Sequence, residues 1–251
     1  MKQMPHKLKQ RGRGKHAQVW DKEYQTAEHL KLSLEPGEDF LKGVRFIKRR
    51  TGREFLNPTS LALDLGTGNG RHLIYLAENY AMRGIGYDIS EEAIRQAREA
   101  SAELPITYEA RSIAGDFNAI RNGSVALALD LMTSHFLKKV EREHLREEIL
   151  RVLKPHSISS GQAGGWLIFK SFLGEEDLHV KRLLRDYPAD EAGAYIHPEF
   201  GVYEYVWEED SLREFFEPYF EIHKIEKSHR HRDKQGRAAK RRTITAYLQK
   251  I

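Results

Sequence analysis

The densest run of chemically informative residues is Asp64-Leu65-Gly66-Thr67-Gly68-Asn69-Gly70, where glycines alternate with other residues directly after an apolar stretch. A backbone without Cβ lets a ligand approach closely and accepts positive φ. A helix opening near Gly70 would offer free N–H groups and the positive end of its dipole, which suit a carboxylate or phosphate. Spacing narrows the choice. Nicotinamide and flavin enzymes use G-x-G-x-x-G, and that register needs glycine at 71, where this chain has Arg71. The pattern present is D-x-G-x-G-x-G. Further acids end later apolar runs: Asp88 in GYDIS, Asp116 in Gly115-Asp116-Phe117, and Asp130, which interrupts an otherwise apolar stretch. Burying a carboxylate without a partner is costly, so Asp130 is either a ligand contact or a capping or salt-bridged residue. His135 is a candidate general base, the alternative being a packed, hydrogen-bonded histidine.

These residues need a scaffold that gathers them, and the hydrophobic pattern supplies one. Leu61 to Leu65 reads as a strand buried on both faces, Arg71 to Tyr80 as a helix, and Gly84 to Asp88 as a second strand. Ser90 is an N-cap with Glu91 and Glu92 in the first turn, and that helix runs to about Glu103. Pro105 precedes a third strand near Ile106 to Ile113. Asn122-Gly123 turns into a fourth, Val125 to Leu131, and Trp166 to Phe172 is a fifth beyond a helix striped by Leu145, Ile149 and Leu153. Alternation of this kind predicts a doubly wound α/β fold with a mostly parallel sheet. Upstream, Phe40, Leu41, Val44 and Ile47 stripe a helix over residues 38–50 that Gly52 can end. Downstream, a helix over Leu212 to Tyr219 leads to a strand pair, Phe220 to Lys227 and Thr243 to Gln249, joined by a basic loop.

With those motifs in those places, the chain resembles the class I S-adenosylmethionine-dependent methyltransferases. The resemblance implies a seven-stranded Rossmann-like sheet whose last strand is antiparallel, and S-adenosylmethionine as cofactor. It implies that Asp64, Gly66, Thr67, Gly68, Asn69 and Gly70 form the cofactor turn and that Asp88, beside Ile89, accepts from the ribose hydroxyls. It places Gly115 and Asp116 near the adenine amino group with Phe117 packed on the ring, and Asp130 at the methionine end. His135 falls where many relatives have a histidine near the substrate entrance, and Trp20 and Tyr24 resemble an amino-terminal aromatic segment that covers the cofactor. The sulfonium methyl is already electrophilic, so alignment and exclusion of water matter more than a fixed base. Two departures stand out: Ala126 replaces a commonly acidic residue, and His156 to Ala163 separate Lys154-Pro155 from Gly164-Gly165. That insertion precedes a strand, so it should lie far from the cofactor.

Composition bounds the rest. The chain has 251 residues and no cysteine, which excludes disulfides and thiolate metal sites. No apolar run approaches the roughly 18 residues of a membrane span, so a cytoplasmic address is the default expectation. His229 and His231 lie among cations and make a poor metal site, so no metal is expected. The charge is segregated: residues 1–15 hold six Lys or Arg and no acid, and residues 229–242 hold seven against Asp233, leaving an acidic body. Such segregation suggests an anionic partner, RNA or nucleotide-like, although a solvated hairpin tip explains the second segment equally well. Expected organisation is a flexible basic arm (1–18) and a single domain (19–251): a cofactor half (55–172), a substrate-side lid (173–207) and a closing helix with its strand pair (208–251). The lid contributes Tyr195, His197 and Tyr203 as substrate candidates, unless this aromatic-rich segment only packs on the body, and the basic loop, which should emerge on the cofactor rim, contributes Arg237 and Arg241. Competing readings are a non-catalytic RNA- or ribosome-binding module on the same fold, and an NAD-dependent oxidoreductase.

Overall fold

The computed structural model describes residues 14–27, 32–52, 54–156, 164–228, 231–232 and 238–251. Two helices lead in, α1 (Lys15–Thr26) and α2 (Glu38–Thr51). Then β1 (Leu61–Leu65), α3 (Arg71–Tyr80), β2 (Arg83–Asp88), α4 (Glu91–Ala100) and β3 (Ile106–Ala110) form one half of the sheet. The other half begins with β4 (Val125–Leu131), α5 (Lys139–Val152) and β5 (Trp166–Phe172). After β5 come α6 (Leu178–Asp186), the antiparallel hairpin β6 (Ala194–Ile196) and β7 (Tyr203–Tyr205), and α7 (Glu209–Phe216). The closing strands are β8 (Phe220–Lys227) and β11 (Thr243–Lys250); two short pieces, β9 (His231–Arg232) and β10 (Ala238–Lys240), pair within their connection.

The main sheet has seven strands in the order β3-β2-β1-β4-β5-β11-β8. Neighbours from β3 to β5 are parallel, and β11 runs antiparallel to both β5 and β8. This is the expected doubly wound, mostly parallel sheet with an antiparallel last strand. Its order reverses between β1 and β4, and ligands of such sheets bind beyond the carboxyl ends of the strands at that switch point.

Side-chain alternation explains the two cores. Leu63 and Leu65 face one side with Ala128, Leu145, Ile149 and Phe169, while Ala62, Leu127 and Leu129 face the other with Phe40, Ile47 and Leu73. Ser90 caps α4 as its position predicted, its hydroxyl accepting from the Ala93 N–H at 3.0 Å.

Boundaries differ from expectation in two places. The third strand stops at Ala110, not Ile113; the Arg111 N–H donates to the Asp88 carbonyl at 2.6 Å in the last bond of the ladder with β2. At the amino end α1 already starts at Lys15, inside the stretch expected to be an irregular arm up to residue 18. Residues 1–13 lie outside the described residues, as do 157–163 of the insertion. The flanks of that insertion meet near the amino end of β5, where the Gly165 N–H donates to the Lys154 carbonyl at 2.8 Å. No helix among the described residues is long and apolar enough to cross a membrane.

Candidate active site

The turn after β1 is fixed by β2. The N–H groups of Gly66 and Thr67 both donate to the Tyr87 carbonyl, at 2.7 and 2.9 Å, and the Gly68 N–H donates to Asp88 Oδ2 at 2.9 Å. Gly66 has φ +77° and Gly68 has φ +57°. A Cβ would lie 2.1 Å from Thr133 Oγ1 at the first and 2.3 Å from Tyr24 Oη at the second, so backbone geometry and space both demand glycine. Asp64 works beneath the turn, accepting from the Thr67 hydroxyl at 3.1 Å. Gly70 precedes α3, whose first-turn amides no side chain caps. Asp88 Oδ1 accepts from the Ser90 N–H at 2.9 Å. Burial pushes the Asp88 carboxyl up to about 6, against the pull of the Ser90 and Gly68 amides.

Past β3 the chain takes a path that corrects one expectation. Ser112 and Ile113 line the cavity at this end; Gly115, Asp116 and Phe117 do not. Since β3 ends at Ala110, the chain passes the cavity wall at 112–113 and has left it by 116. The Asp116 carboxylate lies 3.0 Å from His144 Nε2. Phe117 is fully buried against Tyr87, ring centres 5.4 Å apart, and its N–H donates to Glu148 at 2.5 Å.

Across the mouth lies α1. Asp21 accepts from the Ser90 hydroxyl at 2.7 Å and from the Glu92 N–H at 3.2 Å, and Gln96 donates to the Tyr24 carbonyl at 2.9 Å. Strapped to α4 in this way, the helix sets Tyr24 against Gly68 and Trp20 against Phe136 and Phe200, at 4.9 and 6.3 Å between ring centres. Burial, then the nearby Asp88 charge, raises the Tyr24 phenol well above its ordinary range.

The end of β4 brings a second correction. Strand alternation puts Asp130 on the same face as Ala128, toward α5, and it does not line the cavity. Its carboxylate accepts from the Ser134 N–H at 3.0 Å and caps the turn that follows; burial pushes it up to about 6. Asp130 therefore shapes the presenting turn from below. That turn carries Met132, in the left-handed region at φ +68°, and exposes Met132, Thr133, His135 and Phe136 to the cavity. Non-glycine residues hold such a φ where surrounding structure imposes it. His135 is 1% exposed, packs on Phe136 and Phe172, and finds no hydrogen-bond partner for either ring nitrogen among the described residues. Burial lowers it to about 3, so its imidazole is neutral.

The β6–β7 hairpin and the start of β11 supply the remaining wall. His197 and Tyr203 line the cavity, and the Tyr203 hydroxyl donates to Glu191. Tyr195 stands behind the surface, fully buried, its hydroxyl donating to Glu204. Arg241 reaches the cavity and pairs with Glu204 at 2.7 Å. Burial works against ionised Glu204, but the Arg241 charge, His135 and the Tyr195 hydroxyl prevail and hold the carboxyl below its ordinary value. Arg242 turns the other way, toward the Glu175 carbonyl, Glu176 and the Ser228 carbonyl. Arg237 lies outside the described residues. Sequence reasoning missed Glu204, Phe172, Arg71 and the pair Ser112-Ile113; only Glu204, a lone acid between Tyr203 and Tyr205, left a visible sign.

One cavity of about 1080 Å³ joins these groups: Gly66, Thr67, Gly68, Asn69, Asp88 and Ile89 at one end, and His135, Phe172, His197 and Arg241 at the other. Among the described residues, no cluster of three or more His, Cys, Asp or Glu could hold a metal ion.

Comparison with known proteins agrees with this geometry. A protein-family model for a methyltransferase domain matches residues 62–156. The glycine/sarcosine/dimethylglycine N-methyltransferase of Actinopolyspora halophila is 28% identical over 128 residues, covering 51% of this chain and 23% of the relative. The release factor glutamine methyltransferase of Caulobacter vibrioides is 34% identical over 94 residues, 37% of this chain and 29% of the relative. The chain thus spans about a quarter of the length of these curated relatives. Among solved structures, an S-adenosylmethionine-dependent methyltransferase from Methanosarcina mazei superposes with a TM-score of 0.61 at 23% identity, over 79% of this chain and 95% of that one. Residues 62–156 thus match a methyltransferase-domain family model, and the chain has the Rossmann-like α/β fold of that solved methyltransferase structure.

Proposed function

We propose that the protein is an S-adenosylmethionine-dependent methyltransferase whose acceptor is a small molecule held inside the cavity. The observation that carries this reading is continuity: the glycine turn, Asp88 and the aromatic residues of α1 open into the same space as His135, Phe172, Tyr203 and Arg241. Single small-molecule sites measure roughly 300–1,000 Å³, so about 1080 Å³ suits a cofactor with an acceptor beside it.

The residues present fit the cofactor. At 66 and 68 glycine lets Thr133 and Tyr24 pack against the turn where a Cβ would collide with them, and the turn itself, from Gly66 to Asn69, lines the cavity. Asp88 keeps acceptor capacity for two ribose hydroxyls beyond its two amide bonds. Ile89, Ser112 and Ile113 line the cavity where they would flank the adenine, and Arg71 lines it where it would meet the cofactor's carboxylate. When bound, the cofactor supplies an electrophilic methyl group; this chain's residues align the acceptor and shut out water. His135 acts as a neutral hydrogen-bond partner of the acceptor, because burial opposes the charged imidazolium that a proton acceptor must become.

The relatives' names do not choose the acceptor, one being named for glycine and its methylated forms and the other for a glutamine in a release factor. Enclosure by α1 and by the β6–β7 hairpin supports the small acceptor. An RNA acceptor would rest on residues 1–15 and 229–242, most of which lie outside the described residues. Incubating the protein with methyl-tritiated cofactor and a cell extract, removing unreacted cofactor, then separating small molecules from macromolecules beside an extract without the protein, tests the choice. Label is expected in the small-molecule fraction; label confined to RNA or protein refutes the small acceptor.

A further inference from the structure

The acceptor end of the cavity holds an arginine with one edge unused. Arg241 sits 3.2 Å above the centre of the Phe172 ring, its side chain 17% exposed. Its Nη1 donates to Glu204 at 2.7 Å. Nε and Nη2 are buried and hydrogen-bond to none of the described residues. Those two nitrogens share an edge of the guanidinium plane, where their N–H bonds run parallel at the spacing of the two oxygens of a carboxylate. Glu204, itself anchored by Tyr195, fixes the opposite edge and so the plane.

Folded proteins rarely leave buried donors unmade, least of all on a charged group, so a pair on a cavity wall calls for a functional explanation. Both ring nitrogens of His135 on the same wall are equally unmatched, and Glu204 and Arg241 both act on the ionisation of His135. Around them the wall is apolar: Phe136, Phe172 and Phe200, with Trp20 above.

Building on the methyltransferase reading, we propose that the acceptor is a compact, mainly apolar carboxylic acid whose carboxylate docks side-on against Nε and Nη2 of Arg241. The protonated ring nitrogen of neutral His135 is a third donor to it. A planar monoanion matches this edge better than a phosphate does, since its two coplanar oxygens meet both N–H bonds and it adds one negative charge, not two, near the Arg241–Glu204 pair. Nε and Nη2 are buried in this structure, so docking requires the side chains that cover them to shift.

The test titrates benzoate, 4-hydroxybenzoate and phenylacetate, each beside its primary amide, together with phenyl phosphate, into the full chain saturated with S-adenosylhomocysteine. At least one carboxylate should bind, with its amide weaker by roughly tenfold or more. Arg241→Gln should erase that preference without changing S-adenosylhomocysteine affinity, which also reports that the variant is folded. Arg241→Lys should restore it only in part, a point charge replacing a fork. Absence of carboxylate binding, equal binding of acid and amide, tighter binding of the phosphate, or a preference that survives Arg241→Gln overturns the proposal. Failure of the wild type to bind S-adenosylhomocysteine would instead remove the methyltransferase reading, and this one with it.

Discussion

Asp88 must be ionised to accept from two ribose hydroxyls, yet burial holds it near 6 in the ligand-free protein. Binding then competes with a proton. Affinity for S-adenosylhomocysteine should rise with pH up to about 6 and level off above it, falling by about tenfold per unit on the acid side. Calorimetry across that range checks this, and Asp88→Asn should flatten the profile. The stability sign is opposite. A folded-state value above the ordinary 3.8 means that the native protein holds its proton more tightly than the unfolded chain, so stability of the ligand-free form falls between about 4 and 6. Asp130 adds to that loss in the same window. Gly68→Ala should destabilise by about 1–2 kcal/mol through its positive φ alone, and displacing Tyr24 should also weaken cofactor binding; thermal unfolding and titration read the two effects. The glycines and Asp88 were legible because a turn between strand and helix fixes its own geometry locally. Asp116 and Asp130 were misplaced because strand end and strand face decide their direction, and a one-residue difference in either redirects a side chain.

At the scale of elements, α1 is held to α4 mainly by polar contacts, whereas α3 and α5 are packed into the cores. Asp21→Ala removes the acceptor for both the Ser90 hydroxyl and the Glu92 N–H, at a cost of about 1 kcal/mol or more. We expect that variant to release S-adenosylhomocysteine several-fold faster and to be cut earlier by protease within residues 14–27, while the midpoint of global unfolding barely moves. A large drop in that midpoint would mean that α1 belongs to the folding core. The sequence marked Trp20 and Tyr24 as a cover, and here they meet the cavity. It could not mark the Tyr195–Glu204–Arg241 chain, because hairpin and closing strand lie far apart along the sequence and meet only through tertiary packing.

For the whole molecule, Arg241 and Arg242 at the end of the basic loop are structural as much as superficial. Arg241 is inside the cavity and Arg242 is tied to the segment after β5, so neither stands ready for a phosphate backbone. Any salt-dependent binding to RNA should then survive Arg242→Gln with its slope unchanged, and a shallower slope would return that residue to the surface. The mostly parallel sheet was readable from alternating strands and helices, and so was the edge of the sheet at which the cavity opens. What that edge encloses was not, since a cavity is a property of the packed molecule. Calorimetric titration of the full chain with S-adenosylhomocysteine, wild type beside Asp88→Ala, probes the central claim most directly. One saturable site in the wild type, weakened at least about tenfold by the substitution, is the expected result; no binding by the wild type, or equal binding by both proteins, would contradict it.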